Sequence, residues 1–404
     1  MTGTDRILDA GARSGAGRAP RPWAMLAAGV LAQLASAVTV HGPAFLIPTL
    51  HRDRGLSLAH AGLVVAAPTV GVMLTLVVWG AAVDRWGERV CLLVGLAGTT
   101  LAGLLATQAH GTWQLGAALV MAGAFAASAN AASGRIVVGW FPAHRRGLAM
   151  GIRQMAQPLG VGLGAVTLAV LADRHGVGTA LWVPVVAAAV ATATVAAVVV
   201  DPPRSPHPEG RAPNPYRGDG FLARVHGVSV LLVVPQFTVW TFALAWLVDA
   251  RHWAPAAAGA LVAASQIAGA FGRIAAGQLS DVVGSRMRPL RWVAVAAVAA
   301  MALLGWTAHA GWGVAVLLLV LATTITVADN GLAFTAVAER AGPFWSGRAL
   351  GVQNTTQFLA ASAVAPLAGL AIGSWGYAAC FALAAVFPVL AIPLVPVSGE
   401  QHLG

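Results

Sequence analysis

The sequence predicts an all-α membrane protein whose twelve transmembrane helices form two pseudo-symmetric six-helix bundles, with both termini cytoplasmic. Three observations predict this fold: an apolar composition, a series of apolar runs of membrane-spanning length, and a repeat between the two halves. The chain has 404 residues, of which 58% are hydrophobic and 9% are charged. Since about a quarter of the residues of an average soluble domain are charged, most of this chain is expected to lie in lipid.

Each helix is predicted from one apolar run, because about 20 apolar residues are needed to cross the hydrocarbon core. All runs should be helices, since an isolated strand cannot satisfy its backbone hydrogen bonds in lipid. The predicted spans are residues 23–49, 58–82, 90–109, 114–140, 147–172, 179–200, 225–248, 256–279, 290–309, 313–338, 347–372 and 377–397.

A polar stretch separates the sixth apolar run from the seventh. It covers residues 201–224 and is rich in proline and glycine, which predicts a flexible cytoplasmic linker. The linker divides the chain into an N-terminal bundle at 23–200 and a C-terminal bundle at 225–397. Residues 1–22 and 398–404 are left as short cytoplasmic tails.

The distribution of arginine predicts the orientation. With both termini inside, the tails, the linker and the inner loops hold most of the arginines, and the outer loops hold only Arg52, Arg54, Arg174 and Arg251. Basic residues accumulate on the cytoplasmic side of membrane proteins, so the termini are predicted to be inside. Because the arginines lie in short clusters between apolar runs, the formal charge of +10 does not indicate a nucleic-acid partner.

Two stretches of the first half have counterparts in the second. GAAVDRWGERV, which starts at residue 80, matches GQLSDVVGSRM at 277, and RGLAMGIRQMAQ at 146 matches SGRALGVQNTTQ at 346. Asn130 in the fourth predicted span corresponds to Asn330 in the tenth. Two matching six-helix halves are typical of transporters whose sites lie near the midplane, where the repeats meet.

The repeated loops resemble the signature of the major facilitator superfamily, Gly-x-x-x-Asp-Arg-x-Gly-Arg-Arg, and the resemblance extends over essentially the whole chain. The first copy departs from the signature at Glu88 and the second at Val282, where basic residues are expected. The fourth-helix pattern of the family matches Arg135 and Gly139. The signature positions are Gly80, Asp84, Arg85, Gly87 and Arg89 in the first copy and Gly277, Asp281, Gly284 and Arg286 in the second.

The resemblance implies a mechanical role for these loops. Asp84 should contact the N-terminus of the eleventh helix near Gly347 and pair with Arg135, which would latch the two halves together on the inner side. A carboxylate near a helix N-terminus is favourable by up to about 1 kcal/mol. For Arg85 and Arg89, an alternative role is to fix the membrane topology.

Polar residues inside the predicted spans are the candidate substrate-binding residues, because charged groups in lipid are costly. Arg153 is the predicted anchor for an anion, since guanidinium binds carboxylates bidentately; its alternative is a structural ion pair with Asp329 or with the signature motif. His41 precedes Gly42-Pro43, which should break its helix. The predicted set is Arg153, Gln157, Asn130, Asp329, Asn330, Gln353, Gln357 and His41, with Gln154, Asn354, Gln33, Gln236 and Gln266 beside it.

These observations predict a secondary active transporter of a small, anionic organic solute, acting by alternating access in the inner (plasma) membrane of a bacterium. The alternative is proton-driven efflux of hydrophobic drugs or metabolites. Asp329 or His41 would carry the proton if transport is proton-coupled; no metal or other cofactor is expected. No constellation of catalytic residues was found, so an enzyme is not expected. The predicted partners are the solute and the bilayer, and the protein is expected to be a monomer.

Overall fold

The computed structural model describes residues 21–56, 58–202 and 213–400, and the regular structure within these ranges is entirely helical. The predicted tails at 1–20 and 401–404, and residues 203–212 of the predicted linker, lie outside them. Eight α-helices precede the linker, with bounds α1 Pro22–His41, α2 Ile47–Arg54, α3 Leu58–Trp86, α4 Glu88–Thr107, α5 Thr112–Trp140, α6 Ala143–Gln154, α7 Ala156–Ala180 and α8 Trp182–Val198.

Seven α-helices follow the linker. The first of them begins at Phe221 and not at 225, because Asp219 Oδ1 accepts a hydrogen bond from Phe221 N at 3.1 Å and caps the helix. The predicted linker was therefore too long at its C-terminal end. The bounds are α9 Phe221–Ala245, α10 Pro255–Val283, α11 Met287–His309, α12 Val314–Ile325, α13 Asp329–Ala341, α14 Ser346–Ala384 and α15 Val386–Ala391.

Helix breaks occur at special residues. After His41 the chain forms a 3-10 turn over Gly42–Leu46, as expected at Pro43, which lacks the N–H that a continuing α-helix needs. Gly176 in α7 and Gly376 in α14 occupy equivalent positions of the two halves, and both have φ 81° and ψ 170°. This conformation favours glycine, so the repeat extends to the backbone.

Ten helical segments of the described chain are long and apolar enough to cross a membrane. Their outward surfaces carry large apolar side chains, among them Leu63, Leu74, Leu101 and Leu370, each more than 60% exposed. An apolar surface of this kind suits a lipid environment and would be unfavourable in water.

One end of the bundle carries the signature loops, and we call it the Arg-rich face; it is formed by residues 84–89, 140–148, 281–288 and 339–348. A buried apolar cluster near this face is shared by the two halves. It joins Val137 and Met150 of the first half to Val225, Leu290 and Val337 of the second. The halves are thus packed together at the Arg-rich face.

At the opposite end, each half has an apolar cluster of its own. Leu50, Leu115 and Leu181 belong to a cluster made only of first-half residues. Trp246 and Leu319 belong to a cluster made only of second-half residues. The packing between the halves is therefore concentrated at one end of the molecule.

Candidate functional site

A cavity lies between the two halves, near the middle of the helices. It has about 650 Å³ of space between the atoms, part of which is open to solvent. None of its lining residues, all of which lie in the described ranges, is an arginine or a carboxylate. The polar lining residues are Gln33, Ser36, His41, Asn130, Gln154, Gln157, Gln236, Asn330, Asn354 and Gln357.

The first half supplies an amide pair that joins α1 to α5. Gln33 Nε2 donates to Asn130 Oδ1 at 2.8 Å. The second half has the equivalent pair between α9 and α13, where Asn330 Nδ2 donates to Gln236 Oε1 at 3.0 Å. Gln357 of α14 extends it, since its Nε2 donates to Asn330 Oδ1 at 3.0 Å. The sequence repeat is thus expressed as two facing amide networks.

His41 and Gln157 bring α1 and α7 together at the cavity wall. The His41 Nε2 and Gln157 Nε2 atoms are 3.5 Å apart, which is at the limit of a hydrogen bond. Of the eight predicted substrate-binding residues, the structure places these two, Asn130, Asn330 and Gln357 at the cavity.

Arg153 does not line the cavity, in contrast to its predicted direct contact with an anion. Its side chain runs back towards α5 and is 1% exposed. It donates to Ser133 Oγ at 2.8 Å, to Asn130 O at 2.9 Å and to Gln154 Oε1 at 2.7 Å. The guanidinium therefore lies behind the wall of the cavity, and the alternative ion pair with Asp329 is not formed either.

Gln353 and Asp329 also lie behind the wall. Gln353 faces α9, where its amide bonds to His226 and Ser229. Asp329 is 1% exposed, and its carboxylate lies against the backbone N–H groups of Asp329 and Asn330 at the start of α13. Its electrostatic neighbour is Arg273 of α10.

The charges around the cavity do not balance. Arg153 and Arg273 are both buried, and Asp329 is the buried carboxylate near them. Arg153 forms no ion pair with the described residues; besides its hydrogen bonds, it lies 5.5 Å from the ring centre of Phe334. Two cations against one anion leave a surplus of positive charge beside a cavity of neutral amides.

At the Arg-rich face, Asp84 connects α3 to the start of α14, as the resemblance implies. Asp84 Oδ1 accepts from Gly347 N at 2.8 Å, and Oδ2 accepts from Arg348 N at 3.0 Å. Arg135 Nη1 lies 2.8 Å from Asp84 Oδ1, and its Nε lies 2.9 Å from Glu88 Oε1. We call this set the α3–α14 contact.

Asp281 makes the equivalent contact between α10 and α6. Its Oδ1 accepts from Gly147 N at 3.0 Å, and its Oδ2 accepts from Leu148 N at 2.8 Å. The cation here is Arg286, which bonds to Asp281 and to Ala143 O and lies 3.3 Å from Glu339 Oε1. We call this set the α10–α6 contact.

The charge of Arg286 is maintained in spite of its burial. Burial alone would lower the pKa of this guanidinium, but the carboxylates of Glu339 and Asp281 outweigh it and raise the pKa. Arg286 therefore stays protonated at every physiological pH. It takes the place that Arg135 holds in the first contact, although it comes from the loop and not from a neighbouring helix.

Glycine permits both contacts. A Cβ atom on Gly80 would lie 2.3 Å from Gly347 O, and one on Gly277 would lie 2.1 Å from Gly147 O. The other predicted loop residues set the shape of the turns. Gly87 and Gly284 have φ of 100° and 66°, which favour glycine.

Arg85 and Arg89, the predicted arginines of the first loop, have different surroundings. Arg89 N donates to Asp201 Oδ1 at 2.8 Å, and its guanidinium donates to Ala196 O, so it ties α4 to α8. Arg85 is exposed at the Arg-rich face. For both residues the roles in the latch and in the membrane topology remain predictions.

Several residues of the site were not found from the sequence. Glu88 looked like a departure from the signature, yet it is buried against Arg135. Glu339 and Glu400 also join the α10–α6 contact, through Arg286. An isolated glutamate near a predicted helix end gives no signal of its partner.

Arg135→Met is expected to lower the free energy of unfolding by about 3–5 kcal/mol, because it removes the cation that lies 2.8 Å from the buried carboxylate of Asp84 and 2.9 Å from that of Glu88. Thermal unfolding in detergent measures the effect as a fall in Tm. Arg145→Met, at an exposed arginine on the same face, is the control and should change Tm little. Equal Tm values for the two variants would contradict this assignment.

Comparisons with known proteins agree with the geometry. The Major Facilitator Superfamily model matches residues 26–366. The chain is 45% identical over 378 residues to the uncharacterised MFS-type transporter Rv2994 of Mycobacterium tuberculosis (strain H37Rv), covering 93% of this chain and 85% of that protein. It is 29% identical over 132 residues to the gallate transporter of Pseudomonas putida, covering 33% of this chain and 29% of that protein.

Solved structures share the fold. The human organic anion transporter MFSD10 (TETRAN) superposes with a TM-score of 0.74 at 19% identity, covering 93% of this chain and 100% of that chain. The transporter FucP in its outward conformation gives a TM-score of 0.73 at 13% identity, covering 93% and 99%. At these identities the comparison concerns the fold alone.

An apolar helical bundle in two related halves, with a polar cavity between them, defines a multi-pass membrane transporter. The chain belongs to the major facilitator superfamily, a family of secondary transporters that bind small-molecule solutes. Its relatives are named as transporters and not as enzymes.

Proposed function

We propose that this protein carries a small anionic organic solute across the inner (plasma) membrane by alternating access. One observation carries the proposal: a polar cavity between the halves is closed off at the Arg-rich face by two equivalent contacts. In each contact, a carboxylate of one half accepts hydrogen bonds from two successive backbone N–H groups in the first two turns of a helix of the other. Two equivalent contacts that open together would let the halves rock about the cavity.

We propose twelve membrane crossings with both termini cytoplasmic. The breaks at Gly176 and Gly376 support this count, because each divides a long helical stretch near a predicted loop. α8 has 17 residues, and at 1.5 Å per residue it extends for about 26 Å, close to the thickness of the hydrocarbon core. The arginine distribution supports assigning the Arg-rich face to the cytoplasm.

The conformation is consistent with a cavity that opens away from the cytoplasm. The halves share a buried apolar cluster at the Arg-rich face, whereas at the other end each half has its own. α10 also packs closely on α6 and only loosely on α7, which lies further from that face. We infer that the described state is outward-facing.

An anionic solute is supported by charge. The unbalanced cation behind the cavity wall would be compensated by a bound anion. The gallate transporter that matches part of this chain acts, by its name, on an organic anion. Ten of the lining residues are polar, which favours a polar solute over the hydrophobic compounds of the alternative.

Proton coupling is proposed to use Asp329, and no other cofactor is required. An ionised carboxylate that is almost fully buried in a membrane interior is costly. Proton binding would remove that cost and release Arg273 from its electrostatic neighbour. His41 at the cavity wall is the second candidate.

Solute counterflow in proteoliposomes tests the proposal. Vesicles loaded with unlabelled gallate should accumulate radiolabelled gallate, and vesicles without the protein should not. A proton gradient should accelerate net uptake by the wild type but not by Asp329→Asn, which should retain counterflow. If gallate, benzoate and lactate all fail to exchange while neutral solutes do, the anionic class is wrong.

A further inference from the structure

The hydrogen bonds of Arg153 fix the direction of the amides in the cavity wall. A guanidinium only donates hydrogen bonds, so each partner must turn an acceptor atom towards it. Arg153 Nη1 donates to Gln154 Oε1 at 2.7 Å. The side-chain oxygen of Gln154 is therefore committed to Arg153, and its amide nitrogen is the atom left for the cavity that this residue lines.

Gln154 is held from both halves of the molecule. Arg273 of α10 donates from Nη1 to the backbone oxygen of Gln154 at 2.7 Å. Within the described residues, the Gln154 Nε2 atom donates to no protein acceptor. Two buried cations thus fix one residue whose free group is a hydrogen-bond donor.

A second route leads from Arg153 to Asn130. Arg153 Nε donates to Ser133 Oγ at 2.8 Å. The single proton of the Ser133 hydroxyl is directed to Ala129 O at 2.5 Å, and Gln33 Oε1 lies further away, 3.3 Å from Ser133 Oγ. Gln33 Nε2 then donates to Asn130 Oδ1 at 2.8 Å. Because Asn130 Oδ1 accepts from Gln33, the Asn130 Nδ2 atom is left as a second donor without a protein acceptor in the described chain.

We propose that the cavity binds its solute through a carboxylate held by the amide N–H groups of Gln154 and Asn130, which Arg153 orients from behind the wall. This inference rests on the proposed function and makes its substrate class specific. Arg153 is a positioning residue, since reaching the solute itself would break three hydrogen bonds. Hydrogen bonds to an ionised acceptor are about twice as strong as neutral ones, so fixed donors favour an acid over its ester.

Gln154→Glu tests this inference with little change in shape. The new side chain still accepts from Arg153, but it presents an oxygen to the cavity in place of the amide nitrogen. The probes are gallate, benzoate and lactate, each beside its methyl ester, with binding measured by calorimetry on the purified protein. The wild type should bind at least one acid about tenfold more tightly than its ester, and the variant should bind that acid roughly 100-fold more weakly.

Two further variants separate positioning from charge and from overall damage. Arg153→Lys keeps the charge, but the single ammonium group of lysine cannot donate to all three acceptors as the planar guanidinium does. This variant should therefore reduce the preference for the acid over its ester about tenfold. Gln108→Glu adds the same charge as Gln154→Glu at an exposed position outside the cavity, and it should bind like the wild type. A merely structural arginine would alter stability and leave the preference unchanged.

Three results would overturn the inference: an ester bound as tightly as its acid by the wild type, unchanged acid binding in Gln154→Glu, or no binding of any of the three acids. The two proposals can fail separately. Acid binding without counterflow would contradict the transport function and leave the donor site intact. Counterflow that Gln154→Glu does not affect would contradict the donor site alone.

Discussion

Asp84→Asn should lower the transport rate at least about tenfold and leave the affinity of the cavity for its solute unchanged. All partners of the Asp84 oxygens are donors: Arg135 and the backbone N–H groups of Gly347 and Arg348. An asparagine must turn its own NH₂ group towards one of them. The α3–α14 contact would then lose both its charge and a hydrogen bond, although the cavity lies elsewhere.

Initial rates of counterflow and calorimetric binding measure the two quantities for Asp84→Asn. Asp53→Asn is the matched control, because Asp53 pairs with Arg52 at the opposite end and is exposed. A surface pair of this kind contributes little, so its transport rate should be close to that of the wild type. A full transport rate in Asp84→Asn would remove the α3–α14 contact from the mechanism.

Gly277→Val should have a still larger effect, a loss of transport on the order of 100-fold. The Cβ atom would lie 2.1 Å from Gly147 O and 2.7 Å from Gly147 C, and backbone atoms cannot move aside as a flexible side chain can. The α10–α6 contact could not close, so the Arg-rich face would stay open. The protein would then be held in one conformation of the transport cycle, and the solute would not be carried across the membrane.

Gly259→Val provides the control on the same helix, since no atom lies within 4 Å of a Cβ built there. Both variants place valine in α10, so effects of helix propensity are matched. Counterflow should be retained in Gly259→Val and lost in Gly277→Val. Equal activity in the two variants would show that close packing of α10 on α6 is not required for transport.

The contact of Asp84 was predicted from the resemblance of its loop to a family signature, which implies the partner helix. The helices were predictable because a membrane helix depends on its own composition. The ends of the helices were less predictable. At the helix that starts at Phe221, the backbone N–H of Phe221 donates to Asp219, which lies in a stretch that was predicted to be a linker. Likewise, Glu88 could not be assigned a role from the sequence, because its cation Arg135 lies on another helix.

The direction of long side chains was not predictable. Arg153 and Gln157 lie one turn apart on neighbouring helical positions, which suggested a common polar stripe facing the cavity. Only Gln157 lines the cavity, because the guanidinium of Arg153 donates to Ser133 Oγ and Asn130 O of α5. Gln353, at the equivalent position of the second half, is drawn away by His226 and Ser229 in the same manner.

Alternating access is the central claim, and distances between spin labels test it most directly. Cys91 and Cys380 are buried and can be replaced by alanine, after which labels are placed at His144 and Arg288, exposed residues of the two halves on the Arg-rich face. A second pair, at Arg174 and His309, reports on the opposite face.

Adding gallate, or whichever acid binds, should populate a longer distance for the first pair and a shorter one for the second, because the two faces open in turn. Gly277→Val should show the longer distance at the Arg-rich face without solute. Distances that stay fixed, or that change in the same direction at both faces, would contradict the account.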